Sequence, residues 1–174
     1  MLHWVMAIGM LVLFSTGFLR MEWMSKRAVL EAAERQNLEV TQDQVVALYK
    51  VLREPMWRWH VYAAYLVTLC FGIRIVYMMA RGLRFPNPFQ QKISVRERIQ
   101  GSVYLLFYLF ILESMVTGFY LKWIAGSWKE SFETVHKLGM YLFPIFIAGH
   151  LIGIWIAEHG RKRGIASKMI GGDR

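Results

Sequence analysis

Four apolar stretches, at about residues 2–20, 59–80, 99–121 and 135–157, decide what this chain can become. At about 1.5 Å per helical residue, each is long enough to cross a hydrocarbon core about 30 Å thick. Lipid offers no hydrogen-bond partners, so a spanning segment must satisfy its own backbone, and a helix does this within itself. The sequence therefore predicts an all-α fold: an integral membrane four-helix bundle, with residues 1–174 forming a single transmembrane domain. A hydrophobic fraction of 56% and a mean hydropathy of +0.32 agree with that, because a soluble domain of 174 residues has no use for so much apolar surface. The opening MLHWVMAIGMLVLFSTGFLR has no basic lead-in and no small-x-small cleavage site, so it reads as a retained first helix.

The formal charge of +9 resembles a nucleic-acid signal until its distribution is followed along the chain. Residues 20–58 carry seven basic and six acidic groups, residues 81–98 five and one, and residues 158–174 five and two. Basic excess marks cytoplasmic segments, so the second loop and the tail are expected inside. With four crossings, both termini are then cytoplasmic and the segment of about 21–56 faces outward. The excess charge is a topology signal whose natural neighbours are anionic membrane lipids, with no nucleic acid implied.

The outer segment holds two helical patches, KRAVLEAAERQ and TQDQVVALYKVLRE, the second opening with a capping box at Thr41–Gln44. A structured loop of this length is a docking surface or lid, or else a spacer lying on headgroups. Pro55 is expected to precede the second span, while Pro86 and Pro88 keep the cytoplasmic loop from being one helix. Cys70 is the only cysteine, which excludes a disulfide framework, a cysteine-ligated cluster and covalently attached haem.

Four of the five histidines, His3, His60, His136 and His150, fall in the apolar stretches. An imidazole left unpaired in lipid costs several kcal/mol, so each one needs a reason. His136 and His150 are fourteen residues apart, which in a helix brings them back to within about 40° of one face and separates them by about 21 Å. The topology sorts the four by depth: His60 with His136 near the outer surface, His3 with His150 near the inner. A pair of imidazoles facing across a bundle suits a flat cofactor such as haem, with one histidine on each axial position.

Glycines and a cation fit the same scheme. Gly17 lies fourteen residues beyond His3, on its face and at the depth of the outer pair, while Gly139, Gly149 and Gly153 adjoin the helix-four histidines. Arg74 lies fourteen residues beyond His60, where a guanidinium could pair a haem propionate at the inner site or simply snorkel to the interface. Gly149-xxx-Gly153 is also a plain helix-packing motif. Any single histidine could be a core residue bonded to a carbonyl; four matching in depth and face are harder to read that way. Zinc or di-iron would need ligands within a few ångströms of one another, and no Glu-x-x-His pair repeats on two helices. His159 lies beyond the fourth stretch and reads as a surface residue. Glu113, inside the third stretch, is either part of a proton or quinone path or a glutamic acid bonded to Thr117 one turn on.

The chain resembles the bacterial di-haem b-type cytochromes that serve as membrane subunits of respiratory dehydrogenases, most of all those of nickel–iron hydrogenases. The resemblance rests on His3, Trp4, Thr16 and Gly17, on the His60…Arg74 spacing, on VTGF at 116–119, on VHKLGM…GH in the fourth stretch and on the tail ASKMIGGDR. It implies two haem b groups, the outer held by His60 and His136 and the inner by His3 and His150. It also implies electron transfer between a periplasmic iron–sulfur or cytochrome subunit and the quinone pool, in the bacterial inner membrane. The competing expectation is a stand-alone haem b oxidoreductase of the superoxide:quinone or ferric reductase type. A cofactor-free channel or scaffold would leave four intramembrane imidazoles unexplained.

Overall fold

The computed structural model describes residues 2–82, 85–124 and 126–159, so the tail motif ASKMIGGDR and most of the basic tail lie outside the described residues. Among the described residues every regular element is helical. Four helical segments are long and apolar enough to cross a membrane: Leu2–Trp23, Gln42–Arg81, Val95–Ile124 and Lys129–His159.

The first segment is helix α1 (Leu2–Phe18) closed by one wider π-helical turn, Leu19–Trp23. Helix α2 (Lys26–Arg35) follows, capped by Ser25, whose hydroxyl accepts from Ala28 N at 3.2 Å. It ends where Asn37 takes a left-handed conformation at φ 52°, a cap that asparagine tolerates better than most residues. The chain then turns back along itself, and Ala33 and Val45 are buried where α2 lies on the start of α3. Val45 is 1% exposed, and burying a valine contributes about 1.5–3 kcal/mol, which fixes this outer hairpin.

Helix α3 (Gln42–Arg81) starts earlier than the hydropathy implied. Its capping box forms as expected, with Thr41 N donating to Gln44 Oε1 at 2.9 Å and Gln44 N donating to Thr41 Oγ1 at 3.3 Å. Pro55 does not separate the outer patch from the span; it sits inside one unbroken 40-residue helix. A single proline removes one intrahelical bond, and here it is outweighed by uninterrupted helix on both sides. The second helical patch of the outer segment is thus a rigid extension of the second span.

After the loop through Pro86 and Pro88, helix α4 (Val95–Phe119) opens on a second capping box, Ser94 with Glu97, and closes with another π-helical turn, Tyr120–Ile124. The loop lies directly on α4: a Cβ at Gly101 would clash with Pro86 O, so only glycine admits the crossing. The fourth span is not continuous. Helix α5 (Lys129–Lys137) and helix α6 (Gly139–His159), which contains Pro144, are separated by the single residue Leu138. Gly139, a weak helix former, adjoins that residue, and the expected single helix over 135–157 becomes two, with Pro144 accommodated inside the second.

The core lies between the two histidine levels. Met6 and Met10 from α1, Val67, Cys70 and Phe71 from α3, Tyr108 and Ile111 from α4, and Phe143 from α6 form one buried cluster. Helices α1 and α3 pack tightly at Gly9, where a Cβ would stand 2.7 Å from Val67 Cγ2. Helix α6 is the least covered, with 6% of its apolar window buried, and it meets the bundle through rings: Phe14 with Phe143 at 5.3 Å and Phe107 with Phe146 at 4.8 Å.

Candidate functional site

Each outer histidine rests on the membrane helix that precedes its own. His60, on α3, lies against α1, where Thr16 Oγ1 stands 3.0 Å from His60 Nδ1. A Cβ at Gly17 would be 3.7 Å from His60 Cε1, an ordinary contact, so the ring lies flush on this turn. His136, in the last turn of α5, lies on α4 in the same way, with Thr117 Oγ1 2.9 Å from its Nδ1. Here a Cβ at Gly118 would come within 3.2 Å of His136 Cε1, so a larger residue would have to displace the ring.

The pairs anticipated from the spacing stand together. The ring centroids of His60 and His136 are 6.3 Å apart, and those of His3 and His150 are 6.1 Å apart. The reason is not a rigid ruler, since the break at Leu138 falls between His136 and His150; each histidine is brought to its partner by its own local packing. Two imidazole nitrogens bonded at about 2 Å on opposite sides of one metal put their ring centroids about 6 Å apart. Both pairs match that separation. Among the described residues no three His, Cys, Asp or Glu side chains converge on a metal position. A donor set of two imidazoles therefore suits a group that brings its own four in-plane ligands, as haem does.

The two levels differ in their surroundings. At the outer level Trp57 stacks parallel to His60, with centroids 6.2 Å apart and planes 6° from parallel. The guanidinium of Arg20 lies 4.5 Å from that indole and the ammonium of Lys122 5.8 Å, so two cations converge beside the outer pair. Arg53, bonded to and stacked on Tyr49, stands a little further out. At the inner level the neighbours are rings: Trp4 5.5 Å from His3, and Phe146 stacked on His150 at 5.7 Å. Arg74 is within electrostatic reach of His3 and donates from Nε to Tyr108 Oη at 2.5 Å, so part of its guanidinium is already engaged. Tyr108 in turn donates to Met78 Sδ at 3.1 Å.

Gly149 and Gly153 neither pack against a helix nor crowd His150: a Cβ at either would meet nothing within 4 Å. Glu113 takes the second of its two expected arrangements, with Oε1 3.3 Å from Thr117 Oγ1 and Oε2 3.3 Å from Ser114 Oγ. His159 is exposed on the last turn, its Nδ1 2.9 Å from Trp155 O. Arguments from fourteen-residue spacing do not reach Trp57, Arg20, Lys122 or Gly118. A short repeat does: Thr16-Gly17-Phe18 and Thr117-Gly118-Phe119 each precede a π-helical turn that carries a basic residue.

The sequence profile of the prokaryotic cytochrome b561 family matches residues 1–172. The chain belongs to that family. The family includes the cytochrome b subunit of hydrogenases, and its members bind haem b. Prokaryotic cytochrome b561 is a membrane b-type cytochrome family, which accords with four spanning helices and intramembrane imidazole pairs. No curated protein and no solved structure matches the chain.

Proposed function

We propose that this cytochrome carries electrons across the membrane between a periplasmic redox subunit and the quinone pool, using two haem b groups. His60 and His136 would hold the outer group, His3 and His150 the inner. The single observation that carries the reading is the double pairing, at 6.3 Å and 6.1 Å, at opposite ends of one bundle. Haem b would supply one-electron chemistry when bound, and four histidines holding two such groups would suit electron transfer over oxygen or substrate binding.

The chain's own groups position and insulate. The apolar cluster between the two levels keeps water and protons out of the middle of the bundle. Arg20 and Lys122 hold positive charge at the outer level, where propionates or an acidic partner surface would be met. Arg74, anchored by Tyr108, does the same at the inner level. A quinone takes two electrons and two protons to become a quinol, so its site must reach water, and the inner ends of α1, α3 and α6, with His150 and Arg74, face the cytoplasm in this topology. The outer hairpin of α2 and the first turns of α3 is the rigid surface offered to a partner, an iron–sulfur or cytochrome subunit of nickel–iron hydrogenase or a similar dehydrogenase.

A reduced-minus-oxidised spectrum with haem counting on the purified protein tests the assignment. Wild type should hold two b haems, and His136→Ala and His3→Ala should each hold one. Two haems retained in either variant would remove that histidine from the ligand set.

A further inference from the structure

The outer imidazoles are held by a device that occurs twice, and resting on the two-haem reading above, we infer that Thr16 and Thr117 are paired positioning residues. Each fixes its histidine as the Nδ1–H tautomer, leaves Nε2 as the ligand atom, and lowers the potential of the outer site relative to a site without such a partner.

Donor accounting leads there. A threonine hydroxyl has one hydrogen. Thr16 Oγ1 directs it at Val12 O, 2.6 Å away, with Leu13 O at 3.1 Å. Thr117 Oγ1 directs it at Glu113 O, 2.8 Å away, with Ser114 O and Glu113 Oε1 both at 3.3 Å. With that hydrogen committed to a carbonyl, the oxygen can only accept at the imidazole, so the hydrogen between them belongs to Nδ1: His60 donates at 3.0 Å and His136 at 2.9 Å. A neutral imidazole with its hydrogen on Nδ1 has its lone pair on Nε2, the form a metal binds.

Two further observations separate this from incidental hydrogen bonding. At Gly118 a Cβ would be only 3.2 Å from the His136 ring, so turn and ring are fitted to each other, while at Gly17 the His60 ring lies in ordinary contact distance. The device also recurs on two different helix pairs, α1 holding α3 and α4 holding α5, although the rest of those helices differ in sequence. The inner pair lacks it: among the described residues His3 and His150 have Trp4 and Phe146 as ring neighbours and no hydroxyl on their nitrogens. An acceptor on the remote N–H makes an imidazole a more basic ligand, which favours the oxidised metal.

Potentiometric titration of purified wild type, Thr16→Val, Thr117→Val and Thr16→Ser tests the inference. The valine variants should shift the outer ferric–ferrous equilibrium toward the reduced form about three- to tenfold, an upward move of about 30–60 mV at 59 mV per decade. The inner wave should stay in place, and Thr16→Ser should titrate like wild type. Valine variants that lose the outer haem while Thr16→Ser keeps it would support the same role. An outer wave unmoved by valine, or a serine variant that behaves as valine does, would overturn it. Failure of the underlying reading looks different: wild type would show fewer than two b haems before any threonine is changed.

Discussion

Arg20 and Trp57 show how much a single side chain can matter at the outer level. Trp57 stacks parallel to the His60 ring, and the Arg20 guanidinium lies 4.5 Å from the same indole. Arg20 is within electrostatic reach of both His60 and His136. At roughly 10 Å and an effective dielectric near 20, one charge is worth about 1.5 kcal/mol. A cation favours whichever state of its neighbour carries less positive charge, here the reduced one. Arg20→Gln should therefore lower the outer potential by up to about 60 mV, one decade in the one-electron equilibrium, in a redox titration. That shift is opposite in sign to the one expected for Thr16→Val, although both residues contact the same end of the bundle. If both variants moved the wave in the same direction, general loosening of the site would explain them better than charge and hydrogen bonding.

The helices carry predictions of their own, because the bundle uses glycine in two physically different ways. Gly9 is where α1 touches α3, and a side chain there must displace Val67. Gly72 lies on the exposed face of the same α3, and a Cβ there meets nothing within 4 Å. Gly9→Leu should cost about 1–3 kcal/mol through overpacking, seen as a lower melting temperature in detergent. Gly72→Leu should melt at or slightly above the wild-type temperature, since leucine is the better helix former. Equal melting of the two variants would show that the Gly9 contact does not hold the bundle. The elements themselves were legible in the sequence wherever one strong term dominated. Hydrophobic length places the four spans, and Thr-x-x-Gln places the start of α3. What the sequence hid were contests between comparable terms. Pro55 and Pro144 each weaken a helix by about 3 kcal/mol, yet both are crossed, while the fourth span is interrupted at Leu138 beside Gly139. The histidine pairs were legible from depth alone, which survives such a break; that Gly149-xxx-Gly153 packs against no helix was not, because spacing gives a face without saying what covers it. The Thr-Gly-Phe repeat is only three residues long because only the turn beneath the imidazole is constrained, while neighbouring faces meet lipid, which accepts almost any apolar side chain.

For the whole molecule, the two ends of the bundle are built for different neighbours. The outer end has a rigid hairpin, two threonine-held imidazoles and converging cations; the inner end has stacked rings, one anchored arginine and a proline-broken basic loop. The electron transfer proposed above needs one orientation of this polarity, so the partner and quinone assignments depend on the topology. The five basic residues against one acidic in 81–98 are the ground on which we propose that this loop is cytoplasmic. The chain is well suited to a direct test, because its only cysteine, Cys70, is buried between the helices and should not react. Single cysteines at Glu34, exposed on α2, and at Gln91, exposed in the loop, report the two sides. A membrane-impermeant maleimide applied to intact spheroplasts should label Glu34→Cys and leave Gln91→Cys untouched until the membrane is opened. The reverse pattern would move the α2 hairpin into the cytoplasm. The threonine-held pair would then face the cytoplasm and the Arg74 level the periplasm, and docking partner and quinone would have to exchange ends.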